Sequence, residues 1–222
     1  MSRVDVVMEC PVFESFRVSQ VAGMFDVPVG KRAKESLSVE LPELTEAWQV
    51  GVIVGPSGSG KSSVARKAFG KQLYGGEEWP ADRAVIDCFG EHATKDIALT
   101  LTAVGFSSPP SWVKPYAVLS NGEKFRCDLS RALLQDSPLC VFDEFTSVVD
   151  RTVAKTGAMA VSKAIRTEKI RKRFVAVTCH YDVVEWLEPD WVLDMATRTL
   201  ERRRLRRPEL AVEVVRCSVS AW

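Results

Sequence analysis

The stretch GPSGSGKSS, from Gly55 to Ser63, has the residue types and spacing of a phosphate-binding loop. Its first eight residues fit the pattern GxxxxGK[ST], in which glycines let successive backbone N–H groups turn toward phosphate oxygens. We expect Lys61 to reach the β- and γ-phosphates of a nucleotide and the Ser62 hydroxyl to coordinate Mg²⁺. The other nucleotide contacts are expected from Gly55, Pro56, Ser57, Gly58, Ser59, Gly60 and Ser63. The alternative is a flexible linker, but a linker would not stand between the apolar segment WQVGVIV and a helical pattern.

Two carboxylates, Asp143 and Glu144, directly follow a second apolar segment, Leu139–Phe142. In a nucleotide-hydrolysing site, Asp143 would hold Mg²⁺ directly or through water. Glu144 would orient and deprotonate the attacking water. The alternative is a strand end that carries two acidic residues without a function. The complete phosphate loop elsewhere in the chain argues against this alternative.

The sequence LSNGE, Leu119 to Glu123, begins an amphipathic segment, and its Ser120 stands 23 residues before Asp143. The Ser120 hydroxyl, the N–H of Gly122 and the helix N-terminus would together form an anion site suited to a γ-phosphate. The same residues also fit an ordinary capping box, because Glu123 stands three residues after Ser120. Both interpretations stay open at the level of sequence.

The ordered set of motifs resembles the ABC-type ATPase family over about residues 20–195. LSNGE is similar to that family's LSGGQ signature, with Asn121 in place of the first glycine and Glu123 in place of glutamine. Ser147–Asp150 resembles the family's D-loop, and His180, after the apolar segment FVAVT, stands where the family places a histidine that contacts the γ-phosphate. Two longer segments, GFSSPPSWVKPYAVLSNGE and WVLDMATRTLERRRLRRPEL, resemble a stand-alone bacterial and phage group. Some members of that group are fused to a predicted acetyltransferase domain.

This resemblance implies a particular assembly. ATP would lie between the phosphate loop of one subunit and the signature residues Ser120 and Gly122 of a second subunit turned head to tail. Asp150 would cross between the two sites. Phe25 is our candidate for the aromatic residue that stacks on adenine, with Phe13 and Phe16 as rivals. An ATP-dependent homodimer is therefore expected.

The chain also departs from transporter relatives in ways that argue against a transport motor. Lys61 and Ser120 are only 59 residues apart, so the helical subdomain that docks on membrane partners must be much reduced. The glutamine that couples such domains to transporters is absent, since no Gln occurs between Gln72 and Gln135. We considered Glu91 and His92 as residues in its place.

The hydrophobic pattern predicts the elements that must position these residues. Buried strands are predicted at Trp48–Val54, Ala84–Asp87, Leu139–Phe142 and Phe174–Thr178, alternating with helices. The predicted fold class is α/β, a P-loop NTPase with an ABC ATPase-like core. It has a mainly parallel sheet flanked by helices, an antiparallel N-terminal β part and a reduced helical subdomain. We divide the single domain, 1–222, into an N-terminal β part (1–48), a phosphate-loop core (49–90), a reduced helical subdomain (91–120), a signature and histidine core (121–195) and a basic C-terminal segment (196–222).

Smaller features of the pattern are also predicted. We expect strands within residues 1–18, a helix capped by Ser19 that runs to Phe25, a loop at 28–36 and a strand at Leu37–Leu41. Thr94 is expected to cap a helix that Gly105 ends.

Composition excludes several classes of protein. The 222 residues are 46% hydrophobic and 27% charged with a net charge of +1, which is typical of a globular domain rather than a disordered or fibrous chain. No run of 18 apolar residues predicts a membrane span, and the N-terminus does not resemble a secretory signal. Six scattered Cys and two His suggest buried thiols in a reducing cytoplasm rather than a disulfide framework or zinc site.

Two local clusters of basic residues interrupt this balance, at 163–173 and 198–207, each with six Lys or Arg against one Glu. They could contact DNA or RNA phosphates, or a partner or fused domain, but a solvated surface is the simpler interpretation.

Two other functions stay open. A small-nucleotide kinase could use the same phosphate loop, and a non-hydrolysing, ATP-gated scaffold would explain Asn121 and the missing glutamine.

Overall fold

The computed structural model describes residues 1–11, 13–27 and 32–202. Its strands are β1 (Ser2–Pro11), β2 (Arg32–Leu41), β3 (Val50–Val54), β4 (Leu73–Tyr74), β5 (Leu139–Phe142), β6 (Arg173–Thr178), β7 (Trp191–Asp194) and β8 (Thr199–Arg202). Its α-helices are α1 (Phe16–Phe25), α2 (Lys61–Phe69), α3 (Thr94–Ala103), α4 (Pro109–Trp112), α5 (Asn121–Leu134), α6 (Arg151–Arg166) and α7 (Asp182–Leu187). Within this part of the chain, no helix is both long enough and apolar enough to span a membrane.

The central sheet has the order β4-β5-β6-β3-β7-β8. All neighbouring pairs are parallel except β7 with β8, which is antiparallel. Every residue of β3 and β5 is buried, as expected when helices or other layers cover both faces of a parallel sheet. The predicted mainly parallel sheet flanked by helices is therefore confirmed.

Alternating side chains of the sheet form two separate cores. On one face, Val50, Val52 and Val54 pack with residues of α3, α5, α6 and α7. On the other face, Ile53 and its neighbours pack with α2 and with the strands β1 and β2. The strand period of two thus divides each apolar segment between a helical layer and a mixed layer.

The N-terminal β part is an antiparallel pair in which Val4 faces Val39 and Val6 faces Leu37. These four side chains are buried against the α2 side of the sheet, whereas alternate residues face outward. The predicted antiparallel part is confirmed, but the predicted loop at 28–36 is partly wrong, because β2 already begins at Arg32. Residues 28–31 lie outside the described part.

Helix α1 joins β1 to β2 and buries none of its residues. Its cap is Ser15, whose hydroxyl accepts a hydrogen bond from Val18 N, and not Ser19 as predicted. The helix therefore begins one turn earlier than the sequence pattern suggested, since the first serine is free to take the extended cap conformation.

The predicted strand at Ala84–Asp87 is wrong. Residues Val85–Cys88 form a 3₁₀ turn, and the N–H of Val85 bonds to the carbonyl of Lys114 rather than to a strand. The position beside β5 belongs instead to β4, a two-residue edge strand. A short apolar segment can be buried by a helical layer as well as by a sheet, and its periodicity does not separate the two cases.

The segment between β4 and α5 contains α3, the single-turn helix α4 and two short 3₁₀ turns, Val85–Cys88 and Tyr116–Val118. Ile97, Leu101 and Val104 are buried on one side of α3, and Gly105 follows with a φ of +86°. The cap position is Ala93, not Thr94. This compact arrangement fits the expectation of a reduced helical subdomain.

Gly51 in β3 provides a test of the packing under the site. A Cβ on Gly51 would lie 2.1 Å from Cζ2 of Trp191, which is itself buried. We expect Gly51→Ala to destabilise the fold by about 1–3 kcal/mol through overpacking. The control is Gly23→Ala in the exposed helix α1, where a Cβ meets nothing within 4 Å and should stabilise by about 0.5–1 kcal/mol. Urea unfolding monitored by circular dichroism measures both, and equal stabilities would contradict the packing argument.

Candidate nucleotide-binding and active site

The phosphate loop connects the carboxyl end of β3 to the start of α2. Gly58 and Gly60 have φ of +77° and +85°, a region that side-chain-bearing residues rarely adopt. Gly60 is the N-cap residue of α2 and makes no side-chain cap bond. The predicted loop is thus a sharp turn in which two glycines have left-handed backbone conformations, and it leads directly into the N-terminus of α2.

The Lys61 side chain lies inside this loop. Its ammonium donates hydrogen bonds to the carbonyl oxygens of Gly55 (2.9 Å) and Pro56 (2.7 Å), and the residue is only 7% exposed. The hydroxyl oxygen of Ser59 is buried and has no hydrogen-bond partner among the described residues. A positive charge and an unpaired hydroxyl within a turn of backbone suit a bound phosphate group.

Asp143 connects the phosphate loop to β5. Its Oδ1 accepts a hydrogen bond from the Ser62 hydroxyl at 3.0 Å and another from the backbone N–H of Glu144 at 3.0 Å. The N–H of Asp143 in turn bonds to the carbonyl of Tyr74 in β4. A hydroxyl and a carboxylate are oxygen ligands of the kind Mg²⁺ uses together with phosphate oxygens and water, so the pair fits this ion.

Glu144 lies immediately past the end of β5, exposed and with a φ of +52°. Its Oε2 accepts a hydrogen bond from the Ser147 hydroxyl at 2.6 Å. The next N–H, that of Phe145, bonds to the carbonyl of Val177 in β6 at 2.8 Å. The strand end and one side-chain bond therefore fix where this carboxylate stands, at the same edge of the sheet as the phosphate loop.

His180 follows β6 at that same edge. Its backbone N–H donates to the Thr178 hydroxyl at 3.1 Å, and Thr178 pairs with Val54 of β3. Val54 directly precedes Gly55. Parallel pairing of β3, β5 and β6 therefore gathers the phosphate loop, the two carboxylates and the histidine at one edge.

Asp150 has a local role that the sequence did not reveal. It is the N-cap of α6, and its Oδ1 accepts hydrogen bonds from the N–H groups of Thr152 (2.9 Å) and Val153 (3.0 Å). Arg151, the next residue, forms an ion pair with Asp182 and stacks over the ring of Trp186. The loop that follows Glu144 is thereby connected to α7, the helix that follows His180.

The signature segment adopts the capping box. The Oε2 of Glu123 accepts hydrogen bonds from the backbone N–H of Ser120 (2.9 Å) and from its hydroxyl (2.8 Å). The N–H of Glu123 donates back to the Ser120 oxygen at 3.4 Å. Hydrogen bonds from the Ser120 N–H foremost, and then from the Ser111 and Ser120 hydroxyls, hold the pKa of Glu123 below its usual range. A negative charge therefore stands at the N-terminus of α5, where an anion site was one of the two interpretations.

Gly122 is required by packing as well. A Cβ there would lie 3.2 Å from both methyl groups of Val153 in α6. Farther along, a Cβ on Gly157 would lie 2.8 Å from Cε1 of Phe125. Helices α5 and α6 consequently approach closely beside the signature.

The candidate adenine-stacking residues lie away from any ring partner in the described part. Phe25 is 68% exposed, and Phe13 and Phe16 are also exposed, near or on α1. The N-terminal sheet approaches the phosphate loop through Leu37 and Met8, whose Cδ2 and Cε lie 3.2 Å and 3.5 Å from a Cβ built on Gly60. The role of Phe25 stays a prediction.

Glu91 and His92 do not stand at the site edge, so our suggestion that they replace the missing glutamine is wrong. They line a hollow with Asp136 and Pro138, which precede β5, whereas Asp143 follows it. The suggestion followed from the strand wrongly predicted at Ala84–Asp87. The edge strand beside β5 ends at Tyr74, so the chain leaves the sheet there, at Gly75.

A half-buried carboxylate, Asp128 of α5, was missed at the level of sequence. It accepts hydrogen bonds from Nε1 of Trp79 (2.8 Å) and the hydroxyls of Tyr116 (2.8 Å) and Tyr74 (3.5 Å). The rings of Trp79 and Tyr116 stack with centroids 4.6 Å apart, and the Arg131 guanidinium covers Trp79. Burial raises the pKa of Asp128, although the three donors oppose the shift. No motif marks it, because its partners come from three separate segments.

The basic cluster at 163–173 is half engaged in structural contacts. Arg166 bonds to Asp190 and the carbonyl of Glu188, Lys172 to the carbonyl of Gln135, and Arg173 to the carbonyl of Leu44 while covering Trp48. Of the second cluster, Arg198 and Arg202 are described, and Arg202 pairs with Glu46, lowering the pKa of that carboxyl to about 2. Residues 203–207 lie outside the described residues. Neither cluster forms an open row of cations within the described part.

Comparison with known proteins identifies the fold. No protein-family model matches the sequence, and no curated protein is similar to it in sequence. Among solved structures, the dimeric structure of MJ0796, a bacterial ABC transporter cassette, aligns with a TM-score of 0.55 at 15% identity. The alignment covers 72% of this chain and 87% of that one. The chain therefore has the fold of an ABC ATP-binding cassette, a P-loop fold, as its motifs predicted.

Two further structures support the same fold. The post-hydrolysis dimer of MJ0796 bound to ADP and Pi aligns with a TM-score of 0.56 at 15% identity, covering 70% of this chain and 86% of that one. An Atm1-family bacterial ABC exporter with ATP bound aligns with a TM-score of 0.53 at 17% identity, covering 66% of this chain. The alignment spans only 32% of the exporter chain.

The capping box makes a testable statement about Glu123. Because its pKa in the folded state is lowered, its contribution to stability is present above the ordinary value of 4.5 and is lost as the pH falls through the lowered value. We expect Ser120→Ala to raise the pKa of Glu123 toward that ordinary value, since it removes one donor. Titration of the Glu123 carboxyl by NMR measures the shift, with Asn121→Ala as the matched control. An unchanged pKa in Ser120→Ala would contradict the bonding described.

Proposed function

We propose that the protein binds and hydrolyses ATP with Mg²⁺. The observation that supports it most directly is the hydrogen bond between Ser62 and Asp143, which brings the phosphate loop and the carboxylate strand to one point. Glu144 and His180 follow on the ends of the same strand and its neighbour. The cassette fold agrees with this chemistry, and one neighbour is a post-hydrolysis state bound to ADP and Pi.

Each residue has a role that follows from its position. The loop Gly55–Ser63 and the α2 N-terminus would surround the phosphates, and Lys61 would turn from its loop carbonyls to the β- and γ-phosphates. Bound Mg²⁺, held by Ser62 and Asp143, would offset the phosphate charge. Glu144 would accept a proton from the attacking water, and His180 would donate a hydrogen bond to the γ-phosphate.

We further propose that the complete site forms between two copies of the chain. Ser120, Gly122 and Asp150 lie at the starts of α5 and α6, and the resemblance to the ABC-type ATPases implies that they face the ATP of a partner subunit. MJ0796 is dimeric in the neighbours' structures, which supports such an arrangement. The short segment between α2 and α5, without a coupling glutamine, favours a role other than that of a transport motor.

The two other functions predict different turnover. A small-nucleotide kinase would transfer phosphate only when an acceptor is added, whereas an ATPase releases phosphate without one. A non-hydrolysing scaffold would bind ATP and release no phosphate. The hydrogen bond from Ser147 to Glu144 just after β5 supports hydrolysis, because a carboxylate held there could act as the base for an attacking water.

Replacing the base should separate binding from turnover. We expect Glu144→Gln to bind ATP but to release phosphate about 10²–10⁴ times more slowly, because the amide cannot accept the proton of water. Lys61→Ala should lose ATP binding itself. Phosphate release and equilibrium binding of a fluorescent ATP analogue measure the two effects. Equal phosphate release from the wild type and Glu144→Gln would remove Glu144 from this role.

Assembly should depend on nucleotide. We expect Glu144→Gln to be a monomer alone or with ADP and a dimer with ATP and Mg²⁺, because ATP bridges the two subunits. Ser120→Arg should abolish the dimer while leaving ATP binding nearly intact. Sedimentation velocity at tens of micromolar protein, about the range of weak interfaces, measures this. A monomer at saturating ATP would contradict the composite site.

The charge of Glu123 gives this assembly a second test. A carboxylate at the start of α5 would repel a partner's γ-phosphate by about 1 kcal/mol at each of the two sites of the dimer, so Glu123→Gln in the Glu144→Gln background should tighten the ATP-dependent dimer roughly thirtyfold. Glu185→Gln on α7 is the matched control for removing one surface charge. A weaker dimer for Glu123→Gln would mean that the capping box, rather than the charge, determines the affinity.

A further inference from the structure

A shallow groove of about 600 Å³ lies between α3 and α6, on the helical face of the sheet. It is lined mainly by small apolar side chains with lysines at its border, among them Leu99, Ala103, Ala160, Ala164, Lys163 and Lys169. We call it the α3–α6 groove. Leu99 is 45% exposed there, which leaves a large apolar side chain facing solvent. Small residues on both walls allow a third helix to approach closely, since interaxial distance follows the size of the side chains at the contact.

The border of the groove carries positive charge without a described partner. Lys163 and Lys169 are exposed, and their side chains make no hydrogen bond or ion pair with any residue that the structure describes; the same holds for the side chain of nearby Arg171. The other three cations of the 163–173 cluster, Arg166, Lys172 and Arg173, bond to backbone carbonyl groups. The one acid of the cluster, Glu168, lines a different hollow, beside Trp48. The groove thus combines an apolar floor with two cations that no described residue pairs with.

We propose that the α3–α6 groove binds an amphipathic helix of a partner protein, with Asp or Glu residues flanking its apolar side. This goes beyond the proposed ATPase activity and does not depend on it. An apolar helix face would cover Leu99 and the alanines, and flanking carboxylates would pair with Lys163 and Lys169. Complementary charge of this kind steers association and selects the partner.

Other occupants fit less well. Nucleic acid requires a polar and strongly basic surface, whereas the floor of this groove is apolar. A second copy related by two-fold symmetry would place the same groove opposite itself, so that the lysines of both copies would face one another. Nucleic acid would therefore leave the apolar floor unmatched, and a second copy would leave the lysines unmatched.

The groove is also connected to the signature segment. A Cβ on Gly105, at the end of the groove, would lie 3.8 Å from Nε of Arg126. That side chain donates hydrogen bonds to the carbonyl of Gly122 (3.2 Å) and to the Thr156 hydroxyl (3.4 Å). A helix seated in the groove would therefore lie one side chain away from the residues that begin α5.

Photo-crosslinking of the full-length chain tests this proposal. A benzophenone amino acid in place of Thr102, an exposed residue of the groove, is introduced in cells of the organism that encodes the chain, and the adduct is sequenced by mass spectrometry. We expect an adduct with one protein, through a segment whose apolar residues recur at helical spacing and are flanked by acidic residues. Lys163→Glu with Lys169→Glu should reduce its yield about tenfold or more, because like charges oppose each other across the contact. The matched control, Lys67→Glu with Lys71→Glu on exposed positions of the opposite face, should leave the yield unchanged.

Several outcomes would overturn the proposal. The first is an adduct to nucleic acid, to a second copy or to residues 203–222 of this chain, and the second is a crosslinked segment that is neutral or basic. The adduct yield gives two more: a yield that does not change with the two charge reversals, and a yield no higher than with the same probe at exposed Val7. Circular dichroism of the purified variants shows that the charge reversals leave the fold intact, so a lost adduct reports on the groove.

Discussion

The in-register parallel pairing of β5, β6 and β3 is the constraint on which the candidate site depends. Phe142 pairs with Ala176, and Val54 pairs with Thr178, so the three strands end within two residues of one another at the same edge. A shift of one residue would exchange the two buried faces of every strand and would be opposed by both cores. Burial on both faces therefore fixes the distance between the phosphate loop, Asp143 and the residues that follow.

The two layers that cover the sheet contribute different parts of the site. The α2 side carries the phosphate loop and is closed by the N-terminal strands, with Met8 and Leu37 next to Gly60. The opposite side carries α5, α6 and α7, whose first residues are the signature, the D-loop residue and the residues after the histidine. Contacts such as Arg151 with Asp182 connect these helix ends to each other.

The departures from the familiar signature have a physical consequence of their own. Glu123 completes a capping box that stabilises the start of α5, but it places a carboxylate where a phosphate would bind. Stability of the helix and affinity for an anion therefore compete at one position. The cluster of Asp128, Trp79 and Tyr116 holds the other side of the same helix against the segment that follows β4. Together these contacts hold α5 at its first turn and at Asp128 in its middle.

The sequence by itself determined the phosphate loop, the Asp143–Glu144 strand end, the order of the motifs and the mainly parallel sheet. Each of these is a local pattern whose spacing has one common structural meaning. Only the tertiary structure decided that Leu73–Tyr74 and not Ala84–Asp87 stands beside β5, because short apolar segments bury equally well in a sheet or under a helix. It also decided that Ser120 bonds to Glu123, that Asp150 caps α6, and that half of the 163–173 cations are engaged. Such contacts depend on which residues distant in the chain meet, and that information is carried by packing rather than by spacing.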